Sequence, residues 1–418
     1  MIKPELLAPA GDLERLKWAI AYGADAVYCG GPAFGLRANA INFTIEDLKE
    51  GVLFAHSKNK KVYVTVNIAL HNKEAKQLVA YLKDLETIGV DAIIVSDPAV
   101  IMIARENTDL EIHLSTQQST LNKEAVAFFK ENGVSRIVLG RETSKEEIKE
   151  IIDTNDIEIE CFIHGAMCAG YSGRCVLSNF LTKRDANRGG CSQICRWDFN
   201  LLNENKELIK GDKNFSFCTK DLSLIECIPE MIDMGITSFK IEGRMRSIYY
   251  IATVVSIYRK VIDEYWNNHE KYTYNKKYKQ ILDNCANRDS VIQFFDGNSN
   301  SDCQYYNNAI EVSNQDFLGI ILDYDDDTNM ATIEERNYFE PGMKVEIFGP
   351  EIEDFSFEIN KIYNEFDELV DAARHPREIV KIQVPKKVFQ NNIMRLKRVW
   401  QHGKNMLICS MLFMKERS

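Results

Sequence analysis

Four cysteines, Cys168, Cys175, Cys191 and Cys195, are separated in turn by six, fifteen and three residues. Thiolate is a soft ligand, and four of them suit an iron–sulfur cluster or a zinc ion. Structural zinc usually takes cysteines in close pairs, about two to four residues apart, and only the second pair here is close. Gly165, Gly170 and Gly173 surround Cys168. They let the backbone turn tightly and bring N–H groups near sulfur. The spacing leaves three readings open: a 4Fe-4S cluster, zinc, or cysteines with no ligand. Cys29, Cys161, Cys218, Cys227, Cys285, Cys303 and Cys409 read as small buried hydrophobes. Of these, Cys227 is near enough in sequence to compete as a ligand.

Cations cluster around the same segment: Arg174, Lys183, Arg184, Arg188 and Arg196, followed later by Arg244 and Arg246. Arginine offers paired donors to a carboxylate or a phosphate, so these residues suit a small dicarboxylate or an RNA backbone. Each could equally be paired with a surface acid. His164 and Glu242 are the candidates for moving protons, and Arg244 stands beside them as a third catalytic candidate. Arg174, Arg184 and Arg246 are the candidates for holding substrate. Protease chemistry has little support. No H-E-x-x-H is present, and Gly170-Tyr171-Ser172-Gly173 brings the last glycine of a G-x-S-x-G elbow one position early.

Short β-branched runs alternating with helical patterns must position these residues. Strands are expected at Glu5–Pro9, Ala26–Gly30, Lys61–Asn67, Ala92–Ser96, Glu111–Ser115, Arg136–Gly140, Ile157–Ile163 and Ser238–Glu242. Helical periodicity lies between most of them, and Gly23, Gly89, Gly133 and Gly235 sit where helices should stop. Eight βα units predict an α/β fold of the closed (β/α)8, TIM-like type, whose chemistry sits at the C-terminal strand ends. Those ends carry Asn67, Asp97, Gln117, Arg141, Glu142, His164, Glu242 and Arg244. No G-x-G-x-x-G follows the first strand, so a dinucleotide fold is disfavoured.

One connection is far longer than a βα loop should be: residues 164–237 hold six of the eleven cysteines. The chain therefore divides into a barrel over 1–266 with that insertion, a polar linker over 267–314, a small all-β domain over 315–400, and an atypical tail over 401–418. Within the tail, Met406–Met414 reads as a short buried strand or an adventitious end.

Composition narrows the setting. Of 418 residues, 45% are apolar and 27% charged, as in folded soluble proteins. The net charge of −11 disfavours indiscriminate binding to nucleic acid but leaves room for a local basic patch. Met1–Asp12 carries no secretion signal, and no apolar run approaches the ~20 residues of a membrane span. Eleven cysteines without an export signal point to a reducing, cytoplasmic compartment, with no membrane partner.

The run from Glu160 to Ser178 resembles the signature of the collagenase-like U-32 peptidase family. Leu6-Leu7-Ala8-Pro9-Ala10-Gly11-Asp12, Gly23-Ala24-Asp25-Ala26-Val27-Tyr28, Lys183-Arg184-Asp185, Lys220-Asp221-Leu222 and Lys240-Ile241-Glu242-Gly243-Arg244 are similar to the same family. The resemblance spans roughly residues 4 to 400. It implies a hydroxylase carrying a 4Fe-4S cluster and needing no molecular oxygen, although the family label says protease. The most similar branch implies tRNA as partner and 5-hydroxyuridine at the wobble position as product, with prephenate as the hydroxyl donor. In that branch the cluster ligands fall on Cys168, Cys175, Cys191 and Cys195. The resemblance also implies two alternatives, a peptidase and a non-catalytic tRNA-binding partner of a homologous subunit. Phe217-Cys218-Thr219 departs from the family pattern, which leaves the role of Cys218 open.

Overall fold

The computed structural model describes residues 2–36, 42–209, 215–286, 288–305 and 316–397, in two units, 1–314 and 315–418. The first unit is built on eight parallel strands: β1 (Glu5–Pro9), β2 (Ala26–Gly30), β3 (Lys61–Val66), β4 (Ala92–Val95), β5 (Glu111–Leu114), β6 (Arg136–Val138), β7 (Glu158–Gly165) and β8 (Ser238–Ile241). Each pairs in parallel with its successor, and β8 pairs with both β7 and β1, which closes the barrel. These are the runs richest in β-branched and aromatic residues, such as Lys61-Val-Tyr-Val-Thr-Val66, and both of their faces are buried.

Helices α1 (Leu13–Ala21), α2 (Ile45–Ser57), α3 (Asn72–Ile88), α4 (Pro98–Asn107), α5 (Lys123–Glu131) and α6 (Lys145–Thr154) lie between the strands. Asp12, Thr44, Asp97, Asn122 and Ser144 start five of them, each accepting a first-turn N–H in its side chain. Gly23, Gly89, Gly133 and Gly235, expected as stops, all have positive φ. Inside the barrel, Leu7, Ala26, Tyr28, Tyr63, Ala92 and Ile94 form one packed cluster.

The insertion between β7 and β8 carries the short helices α7 (Leu177–Thr182) and α8 (Ile228–Asp233). It also carries a short strand, Asp221–Ser223, that runs antiparallel to the end of β7. The long helix α9 (Ile248–Asn268) follows β8. Of 267–314, read from sequence as a linker, the described residues 267–286 and 288–305 belong to the barrel unit. They contain α10 (Lys277–Cys285) and a two-residue strand, Ser290–Val291, paired with Asp221–Leu222. Their polar, Asn-rich composition hid this, because only Leu282 and Cys285 of α10 are buried.

The second unit is an antiparallel sheet of β9 (Phe317–Asp325), β10 (Met330–Glu335), β11 (Lys344–Phe348), β12 (Phe355–Glu358), β13 (Ile362–Asn364), β14 (Leu369–Val370), β15 (Ile379–Gln383) and β16 (Ile393–Leu396). Its own core includes Ile321, Ile333, Phe339, Val345, Ile347, Ile382 and Met394. The tail, with Cys409 and Met406–Met414, lies outside the described residues.

Candidate functional site

The C-terminal ends of the strands form a mouth whose charges come from β6, β8 and the loops that follow them. Arg141, just after β6, lies face-on over the Phe162 ring at 3.9 Å. It donates to the Ala166 carbonyl at 2.8 Å and stands 3.7 Å from Glu242 Oε2. The hydroxyl of Tyr28 donates to Glu242 Oε2 at 3.4 Å and to the Ile241 carbonyl at 3.1 Å. Stacking and two anchors thus hold one guanidinium rigid beside one carboxylate, which is how arginine is prepared for a planar anion.

Arg244 is buried in the wall of this mouth. It donates to Thr65 Oγ1 at 3.4 Å and to the Leu36 carbonyl. Gly30 ends β2 without a side chain, and a Cβ there would overlap the Arg244 guanidinium. Arg246 stacks on Tyr250 at 5.1 Å and pairs with Asp221 at 3.5 Å, while the buried Arg288 holds the other side of Asp221 at 2.9 Å. Burial pushes the Asp221 carboxyl up, against the pull of Arg288 and Arg246.

His164 does not open onto the mouth, which corrects the expectation that it moves protons there. The β7–β8 ladder slips by one residue between Phe162 and His164, so His164 opposes Ile241 rather than continuing the inward row of Glu160 and Phe162. Such a bulge turns a side chain to the other face of a sheet. The ring lies between Tyr250 and Tyr258, with Nδ1 3.3 Å from the Tyr258 hydroxyl. Burial lowers its pKa to about 3. Gly165 ends the bulged strand at φ +114°, where a Cβ would collide with the Glu242 carbonyl.

Arg174 and Arg184 are exposed residues of the insertion. Arg174 donates to Ser119 Oγ at 3.4 Å. Arg188 is tied to Glu74 at 3.0 Å, a bridge within the scaffold. Near them in sequence are Tyr171, Phe180 and Leu181, and further along the insertion Trp197 and Phe217, all more than two-fifths exposed. Flat apolar rings among cations suit unstacked bases on a phosphate backbone.

Cys168 and Cys191 are exposed, and Cys175 and Cys195 are half-buried. Burial, then the neighbouring Cys168 and Cys191, push the Cys195 thiol up to about 11. Gathered thiolates repel one another, and a bound cation reverses that repulsion. The donor chemistry therefore suits a thiophilic group. Among the described residues, no three Cys, His, Asp or Glu side chains are drawn together closely enough to hold a metal ion.

Sequence reasoning placed Arg141 and Glu142 at a strand exit but nominated neither as a site residue. Glu142 accepts the Ser172 N–H at 3.2 Å, its other oxygen is buried without a hydrogen bond, and burial raises its pKa. No local signal sets Arg141 apart from the other polar exits. Its distinction, the Phe162 stack, exists only once β6 and β7 are side by side.

Comparison with known proteins fits this geometry. The sequence pattern of peptidase family U32 matches residues 11–304, and that of the U32 C-terminal domain matches residues 313–395. The tRNA hydroxylation protein P1 of Bacillus subtilis (strain 168) is 52% identical over 399 residues, 94% of each chain. The tRNA hydroxylation protein P of Escherichia coli (strain K12) is 36% identical over 399 residues, covering 84% of this chain and 87% of that one. The 23S rRNA 5-hydroxycytidine C2501 synthase of the same organism is 40% identical over 259 residues, 62% of this chain and 39% of that one. Among the described residues, no helix is long and apolar enough to cross a membrane.

Proposed function

This chain belongs to peptidase family U32, and on that premise we propose that it is a tRNA-modifying hydroxylase. In this reading it converts the wobble uridine to 5-hydroxyuridine without molecular oxygen, with prephenate or a similar dicarboxylate as hydroxyl donor. The observation that carries the proposal is the pairing of two features at one end of the barrel. A rigid Arg141–Glu242–Tyr28 group lies in the mouth, and an insertion bearing cations, exposed rings and four cysteines follows β7. A relative of near-equal length, 52% identical, bears the name of a tRNA hydroxylation protein.

The residues divide the work. Arg141 binds the donor carboxylate through its remaining N–H donors, and Arg246 supplies a second cation near Tyr250. Glu242 moves a proton at the mouth, a role worth about 10²–10⁴-fold, with Tyr28 orienting the carboxylate. Phe180 and Trp197 stack bases, and Arg174 and Arg184 meet phosphate. Cys168, Cys175, Cys191 and Cys195 would hold a 4Fe-4S cluster, which supplies electron transfer when bound.

The peptidase reading gains nothing from the site. Cys168 is exposed, whereas His164, its nearest histidine in sequence, is sealed between tyrosines. The test is nucleoside mass spectrometry of tRNA from a strain lacking the gene. Loss of 5-hydroxyuridine derivatives supports the proposal; their full retention, with no redundant pathway present, overturns it. Loss in the strain combined with no activity of the pure protein would favour a tRNA-binding partner of a second subunit.

A further inference from the structure

One buried cation of the barrel has no part in the reaction proposed above. Lys240, two residues before Glu242, is only 4% exposed. Its Nζ donates to Glu160 Oε1 at 2.7 Å. It also lies 4.5 Å from the centre of the Tyr28 ring and 5.5 Å from that of Phe162. The same two rings support the mouth: the Tyr28 hydroxyl reaches Glu242 Oε2 at 3.4 Å, and Arg141 stacks on Phe162 at 3.9 Å. One ammonium thus contacts both aromatic supports of the Arg141–Glu242 pair.

Stability alone does not call for a lysine here. A buried ion pair is often replaced by apolar residues of similar volume without loss, because desolvating two charges offsets their attraction. Glu160 also has a second cation, Arg136 at 3.3 Å, and accepts from the Ser238 hydroxyl at 3.3 Å. What Lys240 adds is a charge over an aromatic face. A cation there draws on the π electrons, and polarisation of that kind is passed along a hydrogen bond. The Tyr28 hydroxyl therefore donates more strongly, and a stronger donor favours the charged form of the carboxylate that accepts it.

We propose that Lys240 is a positioning residue for Glu242, acting through the Tyr28 ring to strengthen the hydrogen bond that holds the mouth carboxylate charged and in place. The inference rests on the reading of Glu242 as the group that moves a proton. Other groups also face Glu242. Arg141 stands at 3.7 Å, and the Tyr250 hydroxyl of α9 donates to the Glu242 carbonyl at 3.4 Å, with Arg246 stacked on the Tyr250 ring. All of these stay in place when Lys240 is replaced. A role confined to the Glu160–Lys240 pair would be lost equally from either partner, whereas a role of the ammonium on Tyr28 is lost only with Lys240.

The experiment uses the full-length chain with ¹³C-labelled glutamate carboxyls. The Glu242 resonance is assigned by its absence in Glu242→Gln, and its titration midpoint is read in Glu160→Gln and in Glu160→Gln/Lys240→Met. The double variant leaves no charge of that pair unpartnered; far-ultraviolet circular dichroism checks its folding, and Glu160→Gln/Lys240→Gln replaces it if it fails. Glu242 should titrate about one pH unit higher in the double variant than in Glu160→Gln. The difference should largely vanish when Tyr28→Phe is added to both. In the deletion strain, 5-hydroxyuridine made by the double variant should fall about tenfold, while Glu160→Gln stays close to the unaltered chain. Equal midpoints overturn the proposal, because the effect would then follow the ion pair. A difference that survives Tyr28→Phe unchanged overturns it too, because the ammonium would then act without the ring. An unaltered chain that makes no 5-hydroxyuridine in the deletion strain sinks the hydroxylase reading instead, and the midpoints still decide what Lys240 does to Glu242.

Discussion

The two ends of the barrel use the same kinds of residue in opposite ways. At the N-terminal end, Arg136 meets Glu5 at 2.6 Å, Glu158 at 2.7 Å and Glu160 at 3.3 Å. Lys240 reaches Glu160 at 2.7 Å, and Ser238 and Tyr63 bond into the same network. Burial works against the charge of Glu160, but Lys240 and Arg136 outweigh it and its pKa is lowered. At the C-terminal end the corresponding pairs stretch to 3.7 Å for Arg141–Glu242 and 3.5 Å for Arg246–Asp221. The Arg141 anchor is a carbonyl that takes one donor of the five a guanidinium offers. The closed end spends its charges on short pairs that hold the fold, whereas at the open end, among the described residues, Arg141 has given only one hydrogen bond, to the Ala166 carbonyl, and stands at longer range from its acid.

The sharpest way to break this contrast is to remove a charge from the closed end. Glu160→Ala leaves Lys240 and Arg136 buried beside an empty site, and breaking such a pair costs about 3–5 kcal/mol. Urea unfolding should show that loss. A loss under about 1 kcal/mol would mean that the network is not what holds the lower barrel. Removing Arg141 should do the reverse. Arg141→Leu keeps an apolar contact with Phe162 and loses the aimed donors, so hydroxylation should fall about 10²–10³-fold, with stability unchanged to within about 1 kcal/mol. Equal activity of the variant would show that the open pair is not poised for substrate.

How much of this was legible beforehand follows from the same contrast. The eight barrel strands were readable because both faces of each are buried, so apolar β-branched runs stand out without any knowledge of neighbours. The site was readable only in part. Glu242 and Arg244 announced themselves by lying just past the last strand. Arg141 did not, because the Phe162 ring that fixes it comes from a strand about twenty residues later in the chain. His164 misled for a definite reason: strict alternation from Glu160 points it inward, and a single-residue bulge against β8 turns it out. A pairing irregularity of that kind has no local sequence mark.

The outward His164 makes a separate prediction about pH. An unfolded histidine takes up a proton near pH 6.5, whereas buried His164 does so only near about 3. Between those values the unfolded chain binds more protons, so stability falls as the pH drops, by about 1.4 kcal/mol per unit. From pH 6.5 to 5 this amounts to about 2 kcal/mol. His113, buried at the closed end with its pKa lowered by burial, adds to the loss with the same sign. Thermal melts of His164→Gln should lose this share of the slope while the remainder persists. An unchanged slope would mean that His164 stays hydrated in solution.

The smallest expected effects lie on the insertion surface, and they separate its rings from its cations. Phe180, 81% exposed on α7, has no packing role to lose, so Phe180→Ala should leave the melting temperature alone. If it stacks on a base, tRNA affinity should drop by about 1–3 kcal/mol, and the dependence of binding on salt should not change. Arg184→Ala should behave differently, lowering affinity and reducing the slope of log affinity against log salt by about one unit per lost phosphate contact. Filter binding across a salt series distinguishes the two. A Phe180 variant that binds tRNA normally, next to an Arg184 variant with a reduced slope, would confine the contact to the backbone. The uridine would then have to be recognised wholly inside the mouth, between Arg141 and Glu242.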